Sequence, residues 1–455
     1  MIEILSQHAV VVLLCWGMAC VGAMVIGQRP VGLLAWNRSF MIGLAVSSTM
    51  LFPLSLLFPH RALMATLVCM GASAAYWLIG SKAGSRLELS AARPSAYHFS
   101  ERVAIAVIVI FVLVFGVINA CFPLAWDGFQ IWATKGLVLH HQGALTPELW
   151  PPSAHTDITR VVTYPPMTPL WIALLASVRG EFSWVGTKAL FLPFYVSMLI
   201  SIFDVSERLL SRRLAFAAVL VSSMIPIEFD VATAGGYADM PLAAVLTAAL
   251  AAMLRAEPGA GMFRSPVVWT LAGLLMVKNE GLILFAITII VAAAVLGRRT
   301  RQFWKPALGL VVALVLRLAY VRWTHVSDIV FGYDFPRAYR RIVRLPGAEL
   351  NWMLRFDDWA LYWPAVLMAC AILLFVGRTV ERALAAGLAL GIAAYSGLYL
   401  FTNWDMTLHI SNSYPRLLQH FIPVASVTLV AAYERMSAWG RQSAGEPASS
   451  GLLQL

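Results

Sequence analysis

Charge is scarce in this chain: Asp, Glu, Lys and Arg make up 12% of its 455 residues, about half the share usual for a soluble domain. That scarcity excludes a sizeable soluble domain able to fold alone. Cysteine is also sparse. Of the five, Cys15, Cys20, Cys69 and Cys370 fall inside apolar runs and Cys121 sits at the end of one, so neither a disulfide framework nor a Cys/His metal spacing is indicated. The first apolar run lacks a basic leader and is followed by others, which reads as a retained helix rather than a cleaved signal. Hydrophobic residues, by contrast, reach 60% and the mean hydropathy is +0.77. This is the composition of an all-α, polytopic membrane protein.

A membrane crossing takes about 20 apolar residues, and roughly thirteen segments approach that length: 9 to 27, 40 to 58, 62 to 81, 103 to 122, 186 to 206, 214 to 229, 241 to 254, 266 to 280, 281 to 297, 306 to 322, 359 to 376, 383 to 400 and 417 to 433. The net charge of +10 does not point to nucleic acid, because the basic residues collect in short loops and the tail. They form six groups: Lys82/Arg86/Arg93/Arg102, Arg208/Arg212/Arg213, Arg255/Arg264, Arg298/Arg299/Arg301/Lys305, Arg378/Arg382 and Arg435/Arg441. Such grouping marks cytoplasmic loops. With all six on one side, the N-terminus and the loop 123 to 185 face outward and the C-terminus is cytoplasmic. The parity requires that Pro165 to Val178 not cross, so this run is expected to lie in or dip into the outer interface with other short juxtamembrane helices. Residues 434 to 455 are expected as a disordered cytoplasmic tail. One outer loop breaks the charge rule with Arg337, Arg340, Arg341 and Arg344, a departure often associated with anion binding.

Polar groups gather on the outward side from segments far apart in sequence. Asp127 and Lys135 lie two helical turns apart among Trp126 and Trp132, just where a span ends; a carboxylate at the mouth of a membrane helix is expensive to keep and marks a functional site. The same side carries Tyr164-Pro165-Pro166, Ala238-Asp239-Met240-Pro241-Leu242, Lys278-Asn279-Glu280-Gly281, and His409 through Arg416 with His420. The spans themselves read as free of buried charge. Each feature has a plainer reading too: an interfacial acid solvated at a helix end for Asp127, a helix-start acid for Asp239, a structural Lys278-Glu280 pair, and an interfacial aromatic belt for Tyr164, Trp126, Trp132 and Trp150.

In order and sidedness these motifs resemble the GT-C superfamily of glycosyltransferases, which includes the protein O-mannosyltransferases and the aminoarabinose transferase of lipid A. The likeness covers roughly residues 103 to 433 and leaves 1 to 102 as an apparent three-helix addition. It implies an inverting transferase of the bacterial inner membrane that moves a hexosyl or pentosyl group from a polyprenyl-phosphate carrier to a lipid, glycan or protein acceptor at the outer face. The chain departs from the family in having no Asp-x-Asp pair in its first loop and no large soluble C-terminal domain. No metal is therefore expected. A divalent ion held by Asp127 with Asp157, His140, His141 or His155 is the alternative.

The chemistry asked of such a site assigns roles. Asp127 is the expected general base, Asp239 a second acid that binds sugar or orients the acceptor, and Lys278 with Arg416 the holders of phosphate. Lys135, Tyr164, Glu280, His409 and His420 complete the candidate binding set. A lipid-linked glycan polymerase or ligase, a lipid or small-molecule transporter, and a noncatalytic membrane subunit are the competing readings. A transporter is expected to carry polar groups near the bilayer midplane and internal repeats, and neither is evident here.

Overall fold

A computed structural model describes residues 2–80, 97–145, 164–229, 236–256, 261–296, 304–323, 335–402 and 404–443. Among these, the regular elements are helical. In chain order they are α1 (Ile2–Ile26), α2 (Leu33–Leu57), α3 (Ala62–Gly80), α4 (Phe99–Cys121), a π-helical turn (Gly128–Ala133), α5 (Thr134–Gln142), α6 (Met167–Arg179), α7 (Trp184–Ala189), α8 (Phe191–Leu209) and α9 (Arg212–Ser223). The second half holds α10 (Asp239–Leu254), α11 (Pro266–Val277), α12 (Gly281–Leu296), α13 (Trp304–Trp323), α14 (Phe335–Ile342), α15 (Leu345–Met353), α16 (Phe356–Trp359), α17 (Tyr362–Val376), α18 (Thr379–Phe401), α19 (Met406–Gln419) and α20 (Ile422–Ser443).

A helix underlies each of the thirteen apolar segments. Among the described residues, seven are long and apolar enough to cross a bilayer, eight if α19 and α20 form one bent span. Lipid exposure is clearest at α4, where only 11% of the apolar window is buried and Val109, Ile110, Leu113 and Val117 face outward. Contiguous apolar surface of this kind suits hydrocarbon rather than water. Inside, where lipid tails are as apolar as leucine, close packing must replace the hydrophobic drive. The α1–α2 contact shows it: a Cβ on Gly22 would collide with the Ser39 carbonyl of α2, and one on Gly43 with the Met18 carbonyl of α1. α2 in turn packs along α8 and α11, so the first three helices share one apolar core with the rest.

Pro165 to Val178, expected as a short helix lying in or dipping into the outer interface, forms α6, shorter than a span, with Met167 to Ala176 buried against α1, α2, α3, α5 and α11. Two expectations change. The segment expected as a tail from 434 begins as helix, because α20 continues to Ser443 and Arg435 donates to Glu381 of α18 through Nε at 2.8 Å and Nη2 at 2.6 Å; residues 444 to 455 lie outside the described residues. Nor are the helices free of buried charge: Asp204 of α8 is buried against Arg255, and Arg317 is buried within α13.

Candidate active site

Six of the nine sequence-chosen residues meet at one end of the helices. Asp239 opens α10, Lys278 and Glu280 form the turn between α11 and α12, Arg416 lies on α19, His420 marks the break before α20, and Asp127 precedes the π-helical turn. The turn is tight because Gly281 sits against the Leu274 carbonyl, where any Cβ would clash. α19 and α20 meet at a 60° bend, so α19 crosses the start of α10 instead of continuing along α20. A π-helical turn beside an acid is a further irregularity of the sort found at functional sites.

Asp239 is the centre. Fully buried, its Oδ1 accepts from Lys278 Nζ at 2.8 Å and meets His420 Nε2 at 2.8 Å, while Oδ2 accepts from Arg416 Nε at 3.2 Å and Nη2 at 3.1 Å. His420 is itself fixed by Tyr395, whose hydroxyl lies 2.9 Å from Nδ1; a neutral imidazole satisfies both contacts. Arg416 also reaches outward to Asp127 Oδ2 at 2.6 Å and stacks on Tyr237 at 4.0 Å. Lys278 is shared with Glu280 at 3.2 Å. The interior is sealed and the rim is not: the side chains of Asp127, Arg416 and Glu280 are each 17 to 18% exposed. Three carboxylates thus face two cations and a histidine, and every one of these cations is neutralised by Asp239 plus one rim acid.

Two further rows line the approach. His409, Ser413, Arg416 and His420 follow a spacing of four, three and four residues, which aligns them on one face of α19 and its end. Opposite them on α18, Tyr395 meets His420 and Tyr399 bonds Ser413 at 2.8 Å. His409 stands at the far end of the row, bonded to Thr402 at 3.0 Å and packed on Tyr399 and Trp404, so it is not in the ionic cluster. Tyr164 lies within electrostatic reach of Asp127, Asp239, Glu280 and Arg416; Lys135 Nζ lies 5.7 Å from its ring, which packs on Trp132 at 5.2 Å. Trp132 is core, Trp126 is exposed, and Trp150 lies outside the described residues.

Tyr237, Tyr395 and Arg317 were not singled out by sequence. Arg317 binds the Asn279 side chain in the Lys278–Glu280 turn, and its signal was a lone arginine inside an apolar run. Of the alternative metal set, His140 bonds Ser177 at 2.9 Å, and burial with the neighbouring His141 holds its pKa below the usual histidine value; Asp157 and His155 lie outside the described residues. Among the described residues no three His, Cys, Asp or Glu side chains converge to hold an ion. From Phe421, next to His420, an apolar groove runs between α10, α12 and α18 past Leu250, Leu384 and Gly387. It continues into a cavity of about 180 Å³ bounded also by α11 and α13.

Neither the protein-family models nor the curated proteins nor the solved structures contain a match to this chain.

Proposed function

We propose that this chain is a membrane glycosyltransferase acting at the outer face, moving a sugar from a polyprenyl-phosphate carrier to an acceptor hydroxyl or amine. The observation that carries the reading is the Asp127–Arg416–Asp239–Lys278 chain of charges, gathered from four distant segments. Buried charge in a membrane body is costly and is kept where it serves chemistry or transport. The two cations Arg416 and Lys278, set among partly exposed rim acids, support a phosphate headgroup. Basic groups such as Arg208/Arg212, Arg255, Arg378/Arg382 and Arg435 lie at the opposite helix ends, which supports thirteen crossings with the N-terminus outside and the C-terminus in the cytoplasm of an inner membrane.

In this reading Asp127 takes the acceptor proton, the acceptor atom bonds to the anomeric carbon from the face opposite the phosphate, and the carbon–oxygen bond to phosphate breaks. Polyprenyl phosphate leaves with the electron pair, and the anomeric configuration inverts. A carboxylate bound to a guanidinium is a weak base. An arriving phosphate competes with Asp127 for Arg416 and with Glu280 for Lys278, so engagement of the donor releases the base. Asp239, sealed and fully paired, is a positioning residue that holds both cations and His420 toward the rim. No metal enters these steps. To test the substrate class, purified protein is incubated with polyprenyl-phosphate lipids and a phospholipid excess, washed, and its retained lipid identified by mass spectrometry. Retention of polyprenyl phosphate supports the reading, and retention of phospholipid alone contradicts it.

A further inference from the structure

The basic outer segment has a structural division of labour. Arg341 is committed internally: its guanidinium donates to the carbonyls of Tyr399 at 3.1 Å, Leu400 at 3.4 Å, Thr402 at 2.6 Å and Trp404 at 2.7 Å. The carbonyls of Tyr399, Leu400 and Thr402 form the end and cap of α18, where unpaired backbone acceptors carry the negative pole of the helix; Trp404 follows just beyond it. α14 is thereby pinned across the site-bearing end of the bundle. The rest of the helix turns away. Arg340 and Arg344 are exposed, as are Tyr339 at 75%, Ile342 at 52% and Val343 at 80%, and α15 extends the apolar part with Leu350 and Leu354. The one acid within α14 and α15, Glu349, is buried. Within α14 and α15, cations and large apolar side chains are therefore exposed with no exposed acid among them, at the end of α18 that Arg341 binds.

Water is a poor partner for Val343 and Ile342, and hydrocarbon is a poor partner for Arg340 and Arg344. The headgroup boundary suits both. We propose that α14 and the start of α15 form an interfacial platform on the site-bearing side of the bilayer, with Tyr339, Ile342 and Val343 at the acyl boundary and Arg340 and Arg344 binding the phosphates of anionic phospholipids. The proposal goes beyond glycosyl transfer and does not depend on it. A basic side chain near an anionic surface contributes a factor of about five in lipid affinity.

Two measurements on the full chain test it. A nitroxide on Val343→Cys, with Cys69 and Cys121 replaced by serine, is placed in nanodiscs of phosphatidylcholine and phosphatidylglycerol, and its accessibility to oxygen and to a nickel chelate is compared. The expected depth is the headgroup–acyl boundary; a label as nickel-accessible as one in bulk water overturns the platform and leaves an aqueous glycan or protein as the partner. Lipids retained from the same mixture are then weighed by native mass spectrometry. Wild type is expected to be enriched in phosphatidylglycerol and Arg340→Gln/Arg344→Gln to lose about an order of magnitude of that enrichment. Equal enrichment in both overturns the headgroup contact.

Discussion

Asp239 and Asp127 are both acids bound to Arg416, yet burial assigns them different work. Asp239 has no exposure and four polar contacts, so Asp239→Asn leaves Lys278 and Arg416 short of an anion in a dry interior. Breaking a buried ion pair in this way costs about 3–5 kcal/mol, and thermal unfolding should show a large loss of stability along with lost activity. Asp127, at the rim with a partly wet side chain, should tolerate the amide with little change in stability. If Asp239→Asn unfolds no earlier than Asp127→Asn, the positioning role fails. Glu349 offers a pH-dependent comparison. Burial pushes its carboxyl up to about 7, against a smaller downward pull from the Ser396 hydroxyl that donates to it at 2.9 Å. A raised carboxyl favours the protonated fold, so its stabilisation is complete at pH values below the ordinary glutamate range and is lost as pH rises through about 7. Glu349→Gln should therefore flatten the fall in melting temperature between about pH 5 and about pH 8. An unchanged slope would mean the group is not held neutral.

At the scale of elements, every apolar segment read from the sequence is a helix, because runs of this length leave the backbone no other way to satisfy its groups away from water. What hydropathy could not supply is how each helix ends. The π-helical turn after Asp127, the bend at His420 and the tight Lys278–Gly281 turn are the three irregularities that bring the ionic groups together, and none has a hydrophobic signature. The turn is the most exposed to substitution. Gly281→Ala forces a methyl into the Leu274 carbonyl, and overpacking of this kind costs about 1–3 kcal/mol. Because the turn also carries Lys278 and Glu280, transfer is expected to fall more than stability does. Thermal melts and turnover on the same preparation decide it, and normal turnover would show that the turn has slack.

For the molecule as a whole, the membrane class was legible from composition, and the site residues were legible because charge stands out in a chain that has so little. Six of the nine chosen residues converge. The Lys278–Glu280 pair read from sequence is present at 3.2 Å; the closer partner of Lys278, Asp239, thirty-nine positions away at 2.8 Å, was not legible. Nor could it show that Lys135 turns to Tyr164, that Arg317 reaches Asn279, or that α6 is wrapped by protein. The orientation is a property of this scale as well. With Cys69 and Cys121 replaced by serine, Glu181→Cys is expected to react with an impermeant thiol reagent added to intact cells, and Gly440→Cys only after the cytoplasm is opened. The opposite pattern would turn the ionic site toward the cytoplasm and remove the outer-face reading.

The most direct measurement of the central claim is release of polyprenyl phosphate from a polyprenyl-phosphate sugar by purified protein, compared between wild type and Asp127→Asn in the presence of acceptor and a chelator. The account predicts chelator-insensitive release by wild type. It predicts a fall of about 10²- to 10⁴-fold in the variant, the usual contribution of a general base, with carrier lipid still bound. Release by Asp127→Asn at the wild-type rate would contradict it.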